Sequence, residues 1–237
     1  RVEKIAKIIK EQNPDIASLQ EVSDLESALT LYHKLSSEFS EFYLNIGTTP
    51  FILQNNSGLF VASKWAISNP EFHSFSDIEG TETMVNKGYF TFSTSVAHFI
   101  NTHLSPSSID LLPTKEEHQI RKEEQLRILN RAEEYSSEHA KPIFISGDYN
   151  TNMGPLFDKA TYCSEATPQG FSETEYLINR NWNHNTSAQP NGQALDYFLS
   201  FFQYLKITTR VIPTFNTDLP QNAISDHPAL YSEIDLS

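Results

Sequence analysis

The sequence has a single cysteine, Cys163. No intrachain disulfide can form, and no CxxC pattern of a zinc or redox site exists. Cys163 therefore reads as a structural residue. No apolar run approaches the ~20 residues needed to span a bilayer, and no signal-peptide pattern is visible. Internal repeats, low-complexity linkers and heptad arrays are also missing. One domain over residues 1–237 is the simplest account. Basic residues are scarce: 17 Lys and Arg stand against 30 Asp and Glu, a formal net charge of -13. That balance opposes bulk attraction to a polyanion such as DNA. It leaves room for a small positive site, because a bound metal adds charge that the count omits. The sequence opens at Arg1 without an initiator methionine, so the reading expects a further strand upstream and allows an export signal there. Location, whether soluble in the cytoplasm or secreted, is left open.

Hydrophobic residues make up 38% and aromatic residues 12% of the chain, more than a disordered chain normally carries. Val2, Ile5, Ile8 and Ile9 have the spacing of one helix face, stopped by Asn13 and Pro14. A strand follows in "DIASLQEV", with Ile16, Ser18 and Gln20 on one side and Ala17, Leu19 and Glu21 on the other. The pattern predicts a helix over 24–38, then strands in "EFYLNIGTT", "SGLFVASKW" and "EFHSF". "GYFTFSTSVAHFINTHL" predicts a hairpin. A long helix is expected over 115–139, with Ile120, Leu126, Ile128 and Leu129 buried and its many charges on a wet face. "IFISGDYN", "QALDYFLS", "KITTRVI" and "HPALYSEI" read as later strands, and loops dominate 151–187. Helices alternating with strands in this way make a layered α/β chain.

Five apolar strands carry a polar group at or just past one end. The groups are Glu21, His103, Asp148 with Asn150, Asp196, and Asp226 with His227. Asp196 is a partial exception, because it precedes most of its strand. Strand ends and the loops beyond them are favoured ligand positions in layered α/β proteins. Glu21 is a hard oxygen donor suited to Mg²⁺ or Mn²⁺. His103 can donate to a phosphoryl oxygen. Asp148 can hold a metal or an attacking water, and Asn150 can orient a phosphate oxygen or water; in extended backbone the two share a face. Gly147 permits close approach just before them. His227 titrates near neutrality and can accept a proton from attacking water, with Asp196 holding its other ring nitrogen. Asp226 suits a metal or supporting role. Each segment alone also reads as an ordinary turn, cap or surface group.

Taken in order, "PDIASLQEV", "NSGLFVASKWAI", "NTHLSP", "PIFISGDYN", "LDYFLS" and "SDHPAL" resemble the endonuclease/exonuclease/phosphatase superfamily, from Pro14 to Leu230. The resemblance implies a four-layered α/β sandwich with two central mixed β-sheets, its first strand lying before Arg1. It implies one catalytic domain, N-terminally incomplete, with Mg²⁺ (or Mn²⁺) assisting attack of water on phosphorus. Glu21 matches the metal-binding glutamate and His103 the histidine on the scissile phosphate. Asp148 and Asn150 match the aspartate-x-asparagine pair. Asp196 matches the acid that orients the catalytic histidine, and Asp226 and His227 match the metal-side aspartate and the general base. The family's asparagine on the preceding strand has no counterpart here.

"NSGLFVASKWAI", "NKGYFTFS" and the Lys87–Gly88 pair are similar to the neutral sphingomyelinase branch, whose members cleave phosphocholine from sphingomyelin. The implied partner is then a membrane phospholipid headgroup, acted on by a monomer. "LDYFLS" also resembles the abasic-site endonuclease branch, without a Lys/Arg-rich platform to support nucleic acid. A nuclease, a soluble phosphate-ester phosphatase and a non-catalytic module that keeps the fold all stay open at this point.

Overall fold

The computed structural model describes residues 1–48, 56–80, 84–106, 114–138, 140–151, 155–158, 196–200, 206–212 and 229–236. Helix α1 (Val2–Gln12) stops where Asn13 turns left-handed and its N–H closes on Ile9 O at 2.9 Å. Strand β1 (Ile16–Leu19) follows. Helix α2 (Leu25–Leu35) starts at Asp24, whose carboxylate accepts from Ser27 N at 2.7 Å. That bond satisfies one of the free N–H groups of the first turn.

Strand β2 is shorter than its pattern suggests (Glu41–Tyr43), because Asn45 and Gly47 take positive φ. Strand β3 (Phe60–Ser63) pairs with both β1 and β2, giving a three-stranded sheet in which each pairing is antiparallel. Strands β4 (Ser68–Ser74), β5 (Gly88–Ser93), β6 (His98–His103), β7 (Ile143–Asp148) and β8 (Asp196–Ser200) form a second sheet in chain order. Only β6 and β7 run parallel there. A parallel pair needs a crossover, and helix α3 (Lys115–Glu138) lies in this one. The short helix α4 (Pro155–Asp158) follows β7, and β9 (Lys206–Ile212) pairs antiparallel with β10 (Ala229–Asp235). Among the described residues, therefore, the second sheet alone is mixed; the first is wholly antiparallel.

Three packed cores give the layers. Ala6 and Ile9 of α1 and Ala28, Leu31 and Leu35 of α2 pack with Ala17, Phe60 and Ala62 on one face of the smaller sheet. Its other face, with Ile16, Leu59 and Val61, meets Phe90 and Phe92 of the larger sheet. The far face of the larger sheet, with Tyr89, Ile100, Ile143 and Ile145, packs on Ile128, Leu129, Ala132 and Tyr135 of α3. Strand β5 is buried at every residue, as expected for a strand covered on both faces. Across the sheet-facing side of β5 to β8 runs a row of rings. Phe92–Phe99, Phe99–Phe144 and Phe144–Phe198 have centroids 5.2, 5.6 and 5.4 Å apart.

The chain is thus an α/β fold of several sheets flanked by helices. Two expectations for α3 differ from the structure. Leu126 is exposed, since it falls off the face that carries Ile128 and Leu129. Arg121 and Glu124, charges expected on a wet face, are buried, and so is Gln125. No described helix is long and apolar enough to cross a membrane.

Candidate active site

Side chains alternate along β6 and β7. Ile100, Ile143 and Ile145 pack in the α3 core, and Phe99 and Phe144 pack on the opposite face. His103 and Asp148 fall in phase with the phenylalanines. Both therefore lie on the side of the larger sheet that faces the smaller one. The register sets them level: His103 pairs with Asp148, and Asp148 pairs with Asp196 across to β8. Three titratable groups from three adjacent strands thus stand in a row at one end of the sheet. His103 Nε2 lies 3.6 Å from Asp148 Oδ2, with each side chain about 8% exposed. That separation is too long for a hydrogen bond. The attraction between them is electrostatic and grows when the imidazole is protonated.

Asn150 is locked beside this row. Its N–H donates to Asp148 Oδ1 at 2.8 Å, and its Nδ2 donates to Leu104 O at 2.9 Å. Leu104 N in turn donates to Asp148 O at 2.9 Å. Asn150 has φ 49, so it does not share a face with Asp148 by strand alternation. The strand ends at Asp148, and a turn closed by the Asp148 carboxylate carries Asn150 back over β6. Asparagine tolerates that left-handed conformation better than most residues. The Asn150 amide keeps one N–H and its oxygen for other partners.

Glu21 follows β1 and also turns left-handed, with φ 62. A glutamate held there costs ~1–2 kcal/mol, and such outliers cluster at functional sites. The turn breaks the alternation that would have placed Glu21 beside Ala17 and Leu19. Its carboxylate-bearing residue is exposed. Two neighbours fix the turn. Val22 N donates to Gly58 O at 2.8 Å, and a Cβ on Gly58 would lie 3.2 Å from both Glu21 N and Cα. On the other side, Gln20 Nε2 donates to Asn101 Oδ1 at 2.7 Å. Asn101 lies two residues before His103 on the same face of β6, so this bond ties the end of β1 across to the His103 strand. Gly58→Ala should strain a φ of +74, push on Glu21, and destabilise the fold by ~1–3 kcal/mol. Denaturant unfolding checks it; an unchanged midpoint would show that Gly58 does not constrain Glu21.

Among the described residues no three His, Cys, Asp or Glu side chains form a metal cage. Mg²⁺ usually retains several waters and takes only one or two protein carboxylates. A single exposed carboxylate held by its backbone, as at Glu21, fits that donor chemistry. Asp226, His227 and Cys163 lie outside the described residues.

Sequence reading missed Gln20 and Asn101, and it missed the α3 charges below the site. Glu124, fully buried, accepts from Ser105 Oγ at 2.6 Å and from Ser105 N at 3.0 Å. Burial pushes its carboxyl above the ordinary range, opposed by the Ser105 bonds and by Lys87 and Arg121. Burial also lowers the affinity of Arg121 for its proton. The available signal was phase: Arg121, Glu124 and Gln125 continue the face of Ile128, Ala132 and Tyr135 by one turn.

None of the curated protein sequences compared with the chain matches it. Solved structures do. Sphingomyelinase C from Streptomyces griseocarneus aligns over 100% of this chain and 87% of its own, at 19% identity and TM-score 0.69. A beta toxin variant from Staphylococcus aureus with bound magnesium ions aligns over 100% and 88%, at 16% identity and TM-score 0.65. Truncated TDP2 from Caenorhabditis elegans aligns over 98% and 88%, at 18% identity and TM-score 0.66. At these identities the likeness is one of fold. The family model for the Endonuclease/Exonuclease/phosphatase family matches residues 1–227, and the chain belongs to that family.

Proposed function

We propose that the chain is a Mg²⁺-dependent phosphodiesterase of sphingomyelinase type, releasing phosphocholine from a membrane phospholipid. The observation that carries the reading is the level row His103–Asp148–Asp196, with Asn150 folded over it. Two solved structures of similar fold support the choice of branch, one described as a sphingomyelinase C and one as a toxin holding magnesium ions. The same reading includes a four-layered sandwich, its smaller sheet antiparallel rather than mixed over the described residues, with a single catalytic domain and a monomeric enzyme. Its support is the succession of helix, sheet, sheet and helix through the three cores.

In this mechanism His103 and the free N–H of Asn150 orient the phosphoryl oxygens. Asp148 aligns the attacking water, and His227 takes its proton. Asp196 holds the His227 ring and stabilises the imidazolium. The P–O bond to the lipid alcohol breaks as the P–O bond to water forms, and the departing alkoxide takes a proton from solvent to leave as the alcohol. Glu21, with Asp226, would hold a divalent ion, and that ion would supply charge neutralisation at the phosphate. Mn²⁺ has the same donor preference and should substitute.

Phosphocholine release from sphingomyelin vesicles with Mg²⁺ tests the assignment, run beside single-stranded DNA, abasic duplex and inositol phosphates. Turnover confined to DNA or to a soluble ester would replace the lipid substrate. No turnover of any of these, with no Mg²⁺ binding, would make the chain a non-catalytic module. Glu21→Gln should raise the Mg²⁺ concentration for half-maximal activity by ~10-fold or more while circular dichroism stays unchanged. An identical Mg²⁺ titration in that variant would remove Glu21 from the metal site.

A further inference from the structure

We propose that Arg121 and Glu124 are positioning residues for the phosphate-ester site, acting through the Leu104–Ser105 segment that links His103 to Asn150. The proposal rests on the phosphodiesterase reading above. Its basis is how completely that segment is held. Leu104 is bonded to the β7 end at both N and O, through Asp148 O and Asn150 Nδ2, each at 2.9 Å. Ser105 is bonded to α3 at each of its polar atoms. Glu124 accepts from its N and Oγ, and Arg121 Nη1 donates to its O at 3.3 Å. The next residue on the same helix face, Gln125, accepts from Leu156 N of α4 at 3.2 Å. One helix face therefore grips both chain segments leaving the site strands, the one after His103 and the one after Asn150.

Stability alone does not account for this choice of side chains. Burying charged groups is costly, because each loses its water and must be answered by hydrogen bonds inside the protein. Here the desolvation is only partly answered: among the described residues, Arg121 Nε and Nη2 are buried without a hydrogen-bond partner, a cost of ~1–3 kcal/mol per unmade bond. Apolar side chains fill the next turn of the same face without that cost. What a carboxylate supplies and a leucine does not is two directed acceptors spaced for a backbone N–H and its own hydroxyl. It fixes Ser105 in position and orientation. Through Leu104 O it also fixes the amide of Asn150, and through the chain it fixes His103.

The test is a double-mutant cycle on p-nitrophenylphosphorylcholine with Mg²⁺, combined with amide hydrogen exchange. Glu124→Gln keeps volume and one acceptor, but it turns an N–H₂ group toward one of the two Ser105 donors. It should lower kcat by ~10–100-fold with KM little changed. In an Asn150→Ala background the further loss should shrink to about threefold or less, since both changes disable one unit. Exchange should quicken at Leu104, Ser105 and Asn150 and stay unchanged in β4 and β5. Wild-type kcat in Glu124→Gln, or the same fold-loss in both backgrounds, overturns the proposal. If Glu124→Gln does not fold, Ser105→Ala takes its place, and wild-type kcat there overturns it equally. If the unaltered chain turns over no diester, the functional reading fails, while exchange rates unchanged at Leu104 and Asn150 defeat the positioning role by themselves.

Discussion

His227→Ala should lower diester turnover by ~10²–10⁴-fold and leave folding intact. The imidazole is the one group proposed to take a proton at neutral pH, and alanine offers neither the acceptor nor the charge that develops during attack. Asp196→Asn should also slow the reaction, because the ring loses both orientation and a compensating charge. If the two act as one unit, the double variant should lose less than the product of the single losses. The structure makes this cycle informative, because Asp196 pairs in register with Asp148 rather than standing alone. Full multiplicativity would separate Asp196 from His227 and leave Asp148 as the base's acidic partner. Turnover near wild type in His227→Ala would sink the mechanism. Steady-state kinetics at saturating Mg²⁺ decide among these outcomes.

Among the glycines of the described residues, Gly147 should be the one where an added methyl (Gly147→Ala) does most damage. Gly147 has φ +149, and a Cβ there would sit 1.9 Å from Thr102 O. That oxygen is backbone, in the strand paired level with Gly147, so no side-chain rotation relieves the clash. Strands β6 and β7 would have to part between Thr102 and Gly147, one position before His103 and Asp148. The expected cost is roughly 4 kcal/mol or more, the range reserved for substitutions that break the fold locally. Urea unfolding should show a lower midpoint, or the variant should fail to accumulate folded. A midpoint within error of wild type would show that the backbone relaxes by a route the register does not suggest.

The elements that sequence patterns describe well are those whose signal is local. The stop of α1 at Asn13, the strand of "SGLFVASKW" and the long helix across 115–138 each follow from a few neighbouring residues. Polar groups at strand ends were legible for the same reason. The features that were not legible depend on partners distant in the chain. Gln20 and Asn101 meet across two sheets although they lie 81 positions apart in the chain, and nothing near either residue announces the other. The pattern at Asn150 predicts a continuing extended strand, but the Asp148 carboxylate captures its N–H and turns the chain. On α3 a charge considered singly marks solvent. Helical phase, rather than charge, decides which side of α3 is buried, and it puts Leu126 outside and Glu124 inside.

The row of phenylalanines across β5 to β8 works as a ruler for the reacting groups. Phe99 precedes His103 by four positions, roughly 13 Å at the rise of a strand, and Phe144 precedes Asp148 by the same count. Because Phe99 and Phe144 are level in the pairing, so are His103 and Asp148. A slip of one residue would throw every ring to the opposite side of its strand and set the histidine out of step with the aspartate. Stacking at one edge of the sheet thus calibrates distances at the other. Loops around the substrate can change in length and composition while the spacing of the chemical groups stays fixed, as long as those rings keep their rank.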